Sequence, residues 1–248
     1  MSGYSRSTIH RIIKYYLTHP PIKQIINSEG GYLIFDGTFL RKRKGMYAAM
    51  DGLSNKIIYG AYGINEGPKD LMRFCLFLKQ SGIEPKSITI DGNLHIFRII
   101  NQVWPENLIQ RCIIHIQRQG LSWCRKKPHR TDAKHLRKLF IKVCSIDSQQ
   151  EKKIFIDAFK KWDDHYGKKI IETKNHGWVS SDLQRARSML VKAIPYMFNY
   201  LEDKNIPYST NAIEGYFSRL KQKYRQHKGL SKNNQENYFK WYFYLCSK

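Results

Sequence analysis

Three carboxylates stand where side chains could do chemistry. Asp36 interrupts the apolar run Tyr32-Leu33-Ile34-Phe35. A charge projecting from an otherwise buried strand must be paired or bind a cation, because a lone buried charge is costly; the bland alternative is a simple turn at Asp36-Gly37. Asp91 follows Ser87-Ile88-Thr89-Ile90 and precedes Gly92-Asn93. Sites collect at such strand ends in open α/β sheets, although an acid there can also just cap the next helix. Glu214 comes three residues after Asn211, near the start of a helical pattern, where Asn-x-x-Glu can equally be a capping box. Taken together, two Asp on neighbouring strands and one Glu on a late helix form an acidic trio. Divalent metal would hold them together beside phosphate. Two hard cations ligated by oxygen can activate a nucleophile and stabilise the leaving oxygen in phosphodiester chemistry.

The surroundings of that trio are strongly basic. Lys and Arg number 43 against 20 Asp and Glu in 248 residues, a formal net charge of +23. Such an excess favours a polyanionic partner, since each phosphate neutralised by Lys or Arg releases condensed counterions. The basic residues run through the whole chain, which argues for a broad binding face on a folded body. Hydrophobic residues at 42% suffice for a real core. The five scattered cysteines, Cys75, Cys112, Cys124, Cys144 and Cys246, show no paired framework and read as reduced and intracellular. No apolar signal segment or membrane-length stretch is visible, so no membrane partner is expected.

The elements that must position the trio follow from pattern. Residues 5–17 read as a short capped helix whose Ser/Thr and Arg cluster resembles a helix-turn-helix recognition helix, or else an ordinary surface helix. Strands are expected over 32–40, broken at Asp36-Gly37, then over 45–50 and 56–62, joined around Asp51-Gly52. Helix 68–80, strand 87–90, helix 94–103, strand 108–111 and a helix over 113–126 follow. Three antiparallel strands followed by alternating helices and strands are what a ribonuclease-H-like fold requires. From 129 to 205 the strand signals vanish and long helical patterns appear, over 151–165 and 181–200. In 211–226, Ile213, Phe217, Leu220 and Tyr224 fall on one helical face, while Glu214, Ser218, Lys221 and Arg225 follow the same spacing one residue on. One stripe can pack on a sheet while its neighbour presents an acid and two bases.

Three motifs then give the sequence a resemblance. They are Phe35-Asp36-Gly37-Thr38; Ile90-Asp91-Gly92 with Gln110-Arg111-Cys112-Ile113-Ile114-His115 downstream; and Ser209-Thr210-Asn211-Ala212-Ile213-Glu214-Gly215 running on to His227-Lys228-Gly229-Leu230-Ser231. In order and spacing, over roughly residues 31 to 245, the chain resembles the DDE transposases of bacterial insertion sequences in the group related to Mutator-like elements. The resemblance implies an α/β ribonuclease-H-like catalytic domain with a mixed five-stranded sheet and flanking helices, interrupted by an all-helical insertion. The expected division is a partial helix-turn-helix-like segment at 1–28, the first part of the catalytic domain at 29–128, the insertion at 129–206 and completing helices at 207–248.

The resemblance also implies the roles. Asp36, Asp91 and Glu214 match the family's catalytic and metal-binding triad, for two Mg2+ or Mn2+ ions. Cys112 and His115 match its Cys-x-x-His motif and are read as active-site support, since two ligands make only half a zinc site. Lys221, Arg225 and Arg219 are expected to hold DNA, and Trp178 to stack on an unpaired base. The partners would be double-stranded DNA, namely the terminal inverted repeats and the target, and further copies of the chain in a dimer or higher oligomer. The place would be the cytoplasm of a bacterium, at the nucleoid. The N-terminal segment begins inside what would be the last helix of an end-recognition region, which puts end recognition by this chain alone in doubt. A ribonuclease-H-like nuclease that does not join strands, and a non-catalytic DNA-binding descendant, are the rival readings.

Overall fold

The computed structural model describes residues 3–22, 31–40, 45–65, 67–172, 177–227 and 229–246, with the side chains of residues 172, 177–180 and 246 outside that description. Five strands, β1 (Tyr32–Phe39), β2 (Gly45–Asp51), β3 (Ile57–Ile64), β4 (Ser87–Ile90) and β5 (Leu108–Arg111), form a mixed sheet in the order β3-β2-β1-β4-β5. The pairs β1–β2 and β2–β3 are antiparallel and β4–β5 is parallel. The helices are α1 (Arg6–Thr18), α2 (Pro68–Gln80), α3 (Leu94–Val103), α4 (Ile113–Cys124), α5 (Thr131–Lys142), α6 (Gln149–Trp162), α7 (Lys168–Glu172), α8 (Gly177–Ala193), α9 (Asn211–Arg225) and α10 (Lys232–Cys246). The chain divides into two compact units, one of residues 1–86, 95–107 and 211–248, the other of residues 87–94 and 108–210.

The first unit is a three-stranded meander clothed by helices. β2 is central and every residue of it is buried, as a strand covered on both faces must be. Ile34, Met46, Ala48 and Met50 pack with Ile213, Phe217 and Leu220 of α9 and Phe239 and Phe243 of α10. On another side, Phe35 and Tyr59 meet Phe74 of α2, with ring centroids 5.3 and 4.9 Å apart. The β2–β3 turn is built by Asp51, whose Oδ1 accepts hydrogen bonds from the backbone N–H groups of Leu53 and Ser54, while Asn55 takes the left-handed conformation at φ 57°. The Asp-Gly signal thus marks a longer turn than a two-residue hairpin.

One expectation is corrected here. β1 is not broken at Asp36-Gly37: Asp36 pairs with Ala48 and Gly37 with Tyr47 in continuous register. Glycine is required at position 37 by packing, because a Cβ there would lie 2.3 Å from Tyr47 Cε1. The turn reading of Asp36 therefore fails.

The second unit surrounds a parallel pair of strands with helices, and among its described residues no strand follows β5. Leu136, Phe140, Phe155, Phe159, Trp162, Leu183 and Leu190 build its core with Ile113 and Ile116 of α4. Gly120 lets α4 approach α5 closely, since a Cβ would meet the Phe140 ring at 2.2 Å. Two helical expectations shift. The segment from Glu151 begins two residues earlier and ends α-helical at Trp162, with Asp163–Gly167 as a π turn. The segment from Ser181 starts at Gly177 and stops at Ala193, because Pro195 cannot continue the ladder and two 3-10 turns follow.

Candidate active site

Within the first unit, strand alternation fixes where Asp36 points. Ile34, Asp36 and Thr38 share one face of β1 and stand opposite Met50, Ala48 and Met46. Ile34, Met46, Ala48 and Met50 all belong to the core that includes α9, so Asp36 faces that side. Asp36 is 8% exposed, and its Oδ1 accepts the Gly37 N–H at 2.7 Å.

α9 presents its two stripes as the sequence periodicity requires. Ile213, Tyr216, Phe217 and Leu220 are buried. One residue on, Glu214 and Lys221 are half-buried, and Ser218 and Arg225 are exposed. Lys221 Nζ donates to Thr38 Oγ1, two residues along β1 from Asp36. Burial, then Arg225, pull the Lys221 ammonium below its ordinary value, and the Asp36 charge pulls the other way. Asp36 and Lys221 therefore feel each other electrostatically, with Glu214 two helical turns away on the same stripe. Asn211 is the first residue of α9 and Glu214 its fourth. Arg219 is exposed.

Asp91 belongs to the second unit. It follows β4 directly, and its Oδ1 accepts the Asn93 N–H at 2.9 Å, closing a tight turn two residues before α3 rather than capping that helix. Ile90 pairs with Arg111 at the parallel strand ends. Arg111 is 8% exposed; burial pulls its guanidinium below its ordinary value, while the Asp91 charge opposes that. Sequence reasoning missed Arg111 as a site residue. Its signal was present: a base at the C-terminal end of the strand beside the one that ends at Asp91.

The same unit holds the Cys-x-x-His pair. His115 Nδ1 lies 3.3 Å from Cys112 Sγ and 3.3 Å from Thr210 Oγ1. The Thr210 N–H donates to Cys112 Sγ at 3.4 Å, and the Thr210 hydroxyl does so at 3.5 Å. Burial pushes the Cys112 thiol up, but the hydrogen bonds from His115 and Thr210 together outweigh it and hold the thiol below its ordinary value. Thr210, the residue immediately before α9, was not foreseen as the third member of this cluster.

A family model described as "Transposase, Mutator family" matches residues 48–236. The chain belongs to the Mutator family of transposases. The match includes Asp91, Cys112, His115, Glu214 and Lys221 and begins after Asp36. No curated protein matches the chain. Among the described residues of this Mutator-family chain, no helix is long and apolar enough to cross a membrane. No group of three or more His, Cys, Asp or Glu is gathered for a metal ion among them either. Asp36, Asp91 and Glu214 carry carboxylate oxygens, the donor type that hard cations such as Mg2+ and Mn2+ favour. The structure brings Asp36 together with Lys221 and the Glu214 stripe, Asp91 with Arg111, and Cys112 with His115 and Thr210. The Trp178 side chain lies outside the described residues.

Proposed function

We propose that this Mutator-family transposase cuts and joins DNA strands at the ends of a mobile element of the insertion-sequence type, on a ribonuclease-H-like catalytic domain with a helical insertion. The observation that carries the reading is Asp36: a carboxylate buried in a strand, facing the helix that bears Glu214 and Lys221. Asp36, Asp91 and Glu214 would hold two Mg2+ or Mn2+ ions. When bound, such ions lower the pKa of the attacking water or 3′-hydroxyl and stabilise the leaving oxygen.

The chain's own residues supply the rest. Burial fixes the Asp36 carboxylate and raises the strength of its interactions, since the effective dielectric falls. Lys221 and Arg225, one helical turn apart on the Glu214 stripe, hold backbone phosphates of the strand being cut, and exposed Arg219 adds a phosphate contact. Cys112 and His115 fix Thr210 and, with it, the chain that leads into α9. Double-stranded DNA, both the element's terminal inverted repeats and the target, is the partner. Bringing two ends together calls for a dimer or a larger assembly, in the bacterial cytoplasm at the nucleoid.

Nicking of DNA carrying the flanking inverted repeats, with and without Mg2+, tests the reading. Asp36→Asn, Asp91→Asn and Glu214→Gln should each lower cleavage by at least about 100-fold, since even outer-shell partners of metal sites cost 10–100-fold, while DNA binding in EDTA persists. Joining of pre-cut end oligonucleotides separates a transposase from a nuclease. Metal-dependent cleavage that survives all three substitutions overturns the triad, and DNA binding with no cleavage in the wild type favours the binding-only reading.

A further inference from the structure

The second unit contains a cleft of about 690 Å³ next to Asp91, lined by Gly92, Arg111 and the side of α8. Its volume lies within the roughly 300–1,000 Å³ range of small-ligand clefts, enough for a nucleotide-sized group. Ser181, Arg185, Ser188 and Lys192 line it from α8, at the spacing i, i+4, i+7, i+11 of one helical face. Trp123, Ile171 and Met189 give it an apolar wall.

The charges of the cleft are uneven. Arg187 is spoken for: Asp163 accepts from its Nε, and from its Nη2 at 2.8 Å. Arg185 has a loose pair with Asp182, at 3.5 Å, and its side chain is 60% exposed. Among the described residues none that lines it is an acid, and the one acidic charge acting on Arg111 that stands beside the cleft is Asp91. Arg111 is the deepest cation, and its Nε is buried with no hydrogen-bond partner among the described residues. A buried donor left unmade costs about 1–3 kcal/mol, more on a charged group. Glycine at 92 is what makes room for it, since a Cβ there would lie 2.7 Å from Arg111 Nη2.

We propose that this cleft is a binding site for the phosphodiester backbone of a single DNA strand, with Arg111 as its buried anchor and Arg185 and Lys192 as its outer contacts. The inference rests on the transposase reading only in taking the polyanion to be DNA. Phosphate oxygens in the cleft meet the guanidinium edge that Arg111 turns toward it, for which Arg is suited by geometry. The apolar wall meets sugar or base, and its low dielectric strengthens each charge.

Anisotropy titrations of the full chain in EDTA test the site, using a labelled single-stranded 20-mer and the matching duplex from 50 to 200 mM salt. Arg185→Gln/Lys192→Gln should weaken single-strand binding by about tenfold. It should also reduce the slope of log K against log salt by about 1.4, at roughly 0.7 per single-strand phosphate contact. Gly92→Ala changes no charge but displaces a flexible guanidinium, and should weaken single-strand binding by about threefold or more. The control pair Lys153→Gln/Lys160→Gln, exposed on α6, should cost markedly less. If the control pair loses as much as the cleft pair, if duplex and single strand suffer alike, or if Gly92→Ala has no effect, the cleft is no strand site. Because EDTA removes catalysis from the assay, these outcomes are independent of whether Asp36, Asp91 and Glu214 hold metal.

Discussion

The Cys112 sulfur receives two donors from Thr210 and lies within hydrogen-bond reach of His115, all fully or partly buried. Cys112→Ala would leave the Thr210 N–H without its acceptor and should cost about 1–3 kcal/mol, which lowers the thermal midpoint by several degrees. Cys112→Ser keeps an acceptor and should recover part of the loss. The thiol's folded pKa lies below its ordinary value of about 8.5. Its titration therefore adds stability as pH rises toward that value and loses it as pH falls through the folded pKa. Urea unfolding between pH 6 and 9 should show the wild type gaining on Cys112→Ser as pH rises; a gap that shrinks with pH would contradict the hydrogen-bonded thiol. A chelator should leave the midpoint unchanged, because a Cys–His pair with a threonine is not a zinc site. The sequence shows Cys112 and His115 as a pair, since three residues on a helix start bring them together. It does not show Thr210, which is 98 positions away from Cys112, nor Arg111, whose meaning depends on the parallel register that sets it against Ile90.

Elements were easier to read wherever local chemistry agrees with the fold. α2 starts at Pro68, which suits a first helical turn, and β4 is a short apolar run ended by Asp91-Gly92. β1 misled because Asp36-Gly37 has the composition of a turn; only the Tyr47 ring from the paired strand explains the glycine. Gly37→Ala should therefore destabilise by about 1–3 kcal/mol through overpacking, measured by urea unfolding, whereas a turn glycine at negative φ would tolerate alanine. α1 poses the opposite case, an element that forms well and packs little. Ser5 caps it through the Thr8 N–H, but none of its residues is buried. It is held by Trp241 Nε1 donating to Tyr16 O at 2.7 Å and Asn237 Nδ2 donating to Leu17 O at 2.8 Å. Trp241→Phe removes one tie, so amide exchange across 6–18 should quicken while the global midpoint moves little. A cooperative fall in the midpoint would show that α1 belongs to the core.

At the scale of the whole molecule, the excess of positive charge decides how binding responds to conditions. A net charge of +23 makes the chain repel its own copies and attract any polyanion. Such attraction is non-specific: it steers the protein to DNA without saying where to cut, and specificity must come from contacts to bases or from DNA shape. If six to ten phosphates are engaged, affinity for a generic duplex should fall by about 10³–10⁵ between 50 and 200 mM salt. Lys221→Gln/Arg225→Gln should lower the log–log slope by about 1.8, at roughly 0.9 per duplex phosphate contact, with the loss equal for all sequences. Titrations against two unrelated duplexes measure both quantities. A slope that does not change with these two residues would place the DNA away from the stripe that carries Glu214, and the case for Asp36 facing a phosphate-bearing helix would lose its second half.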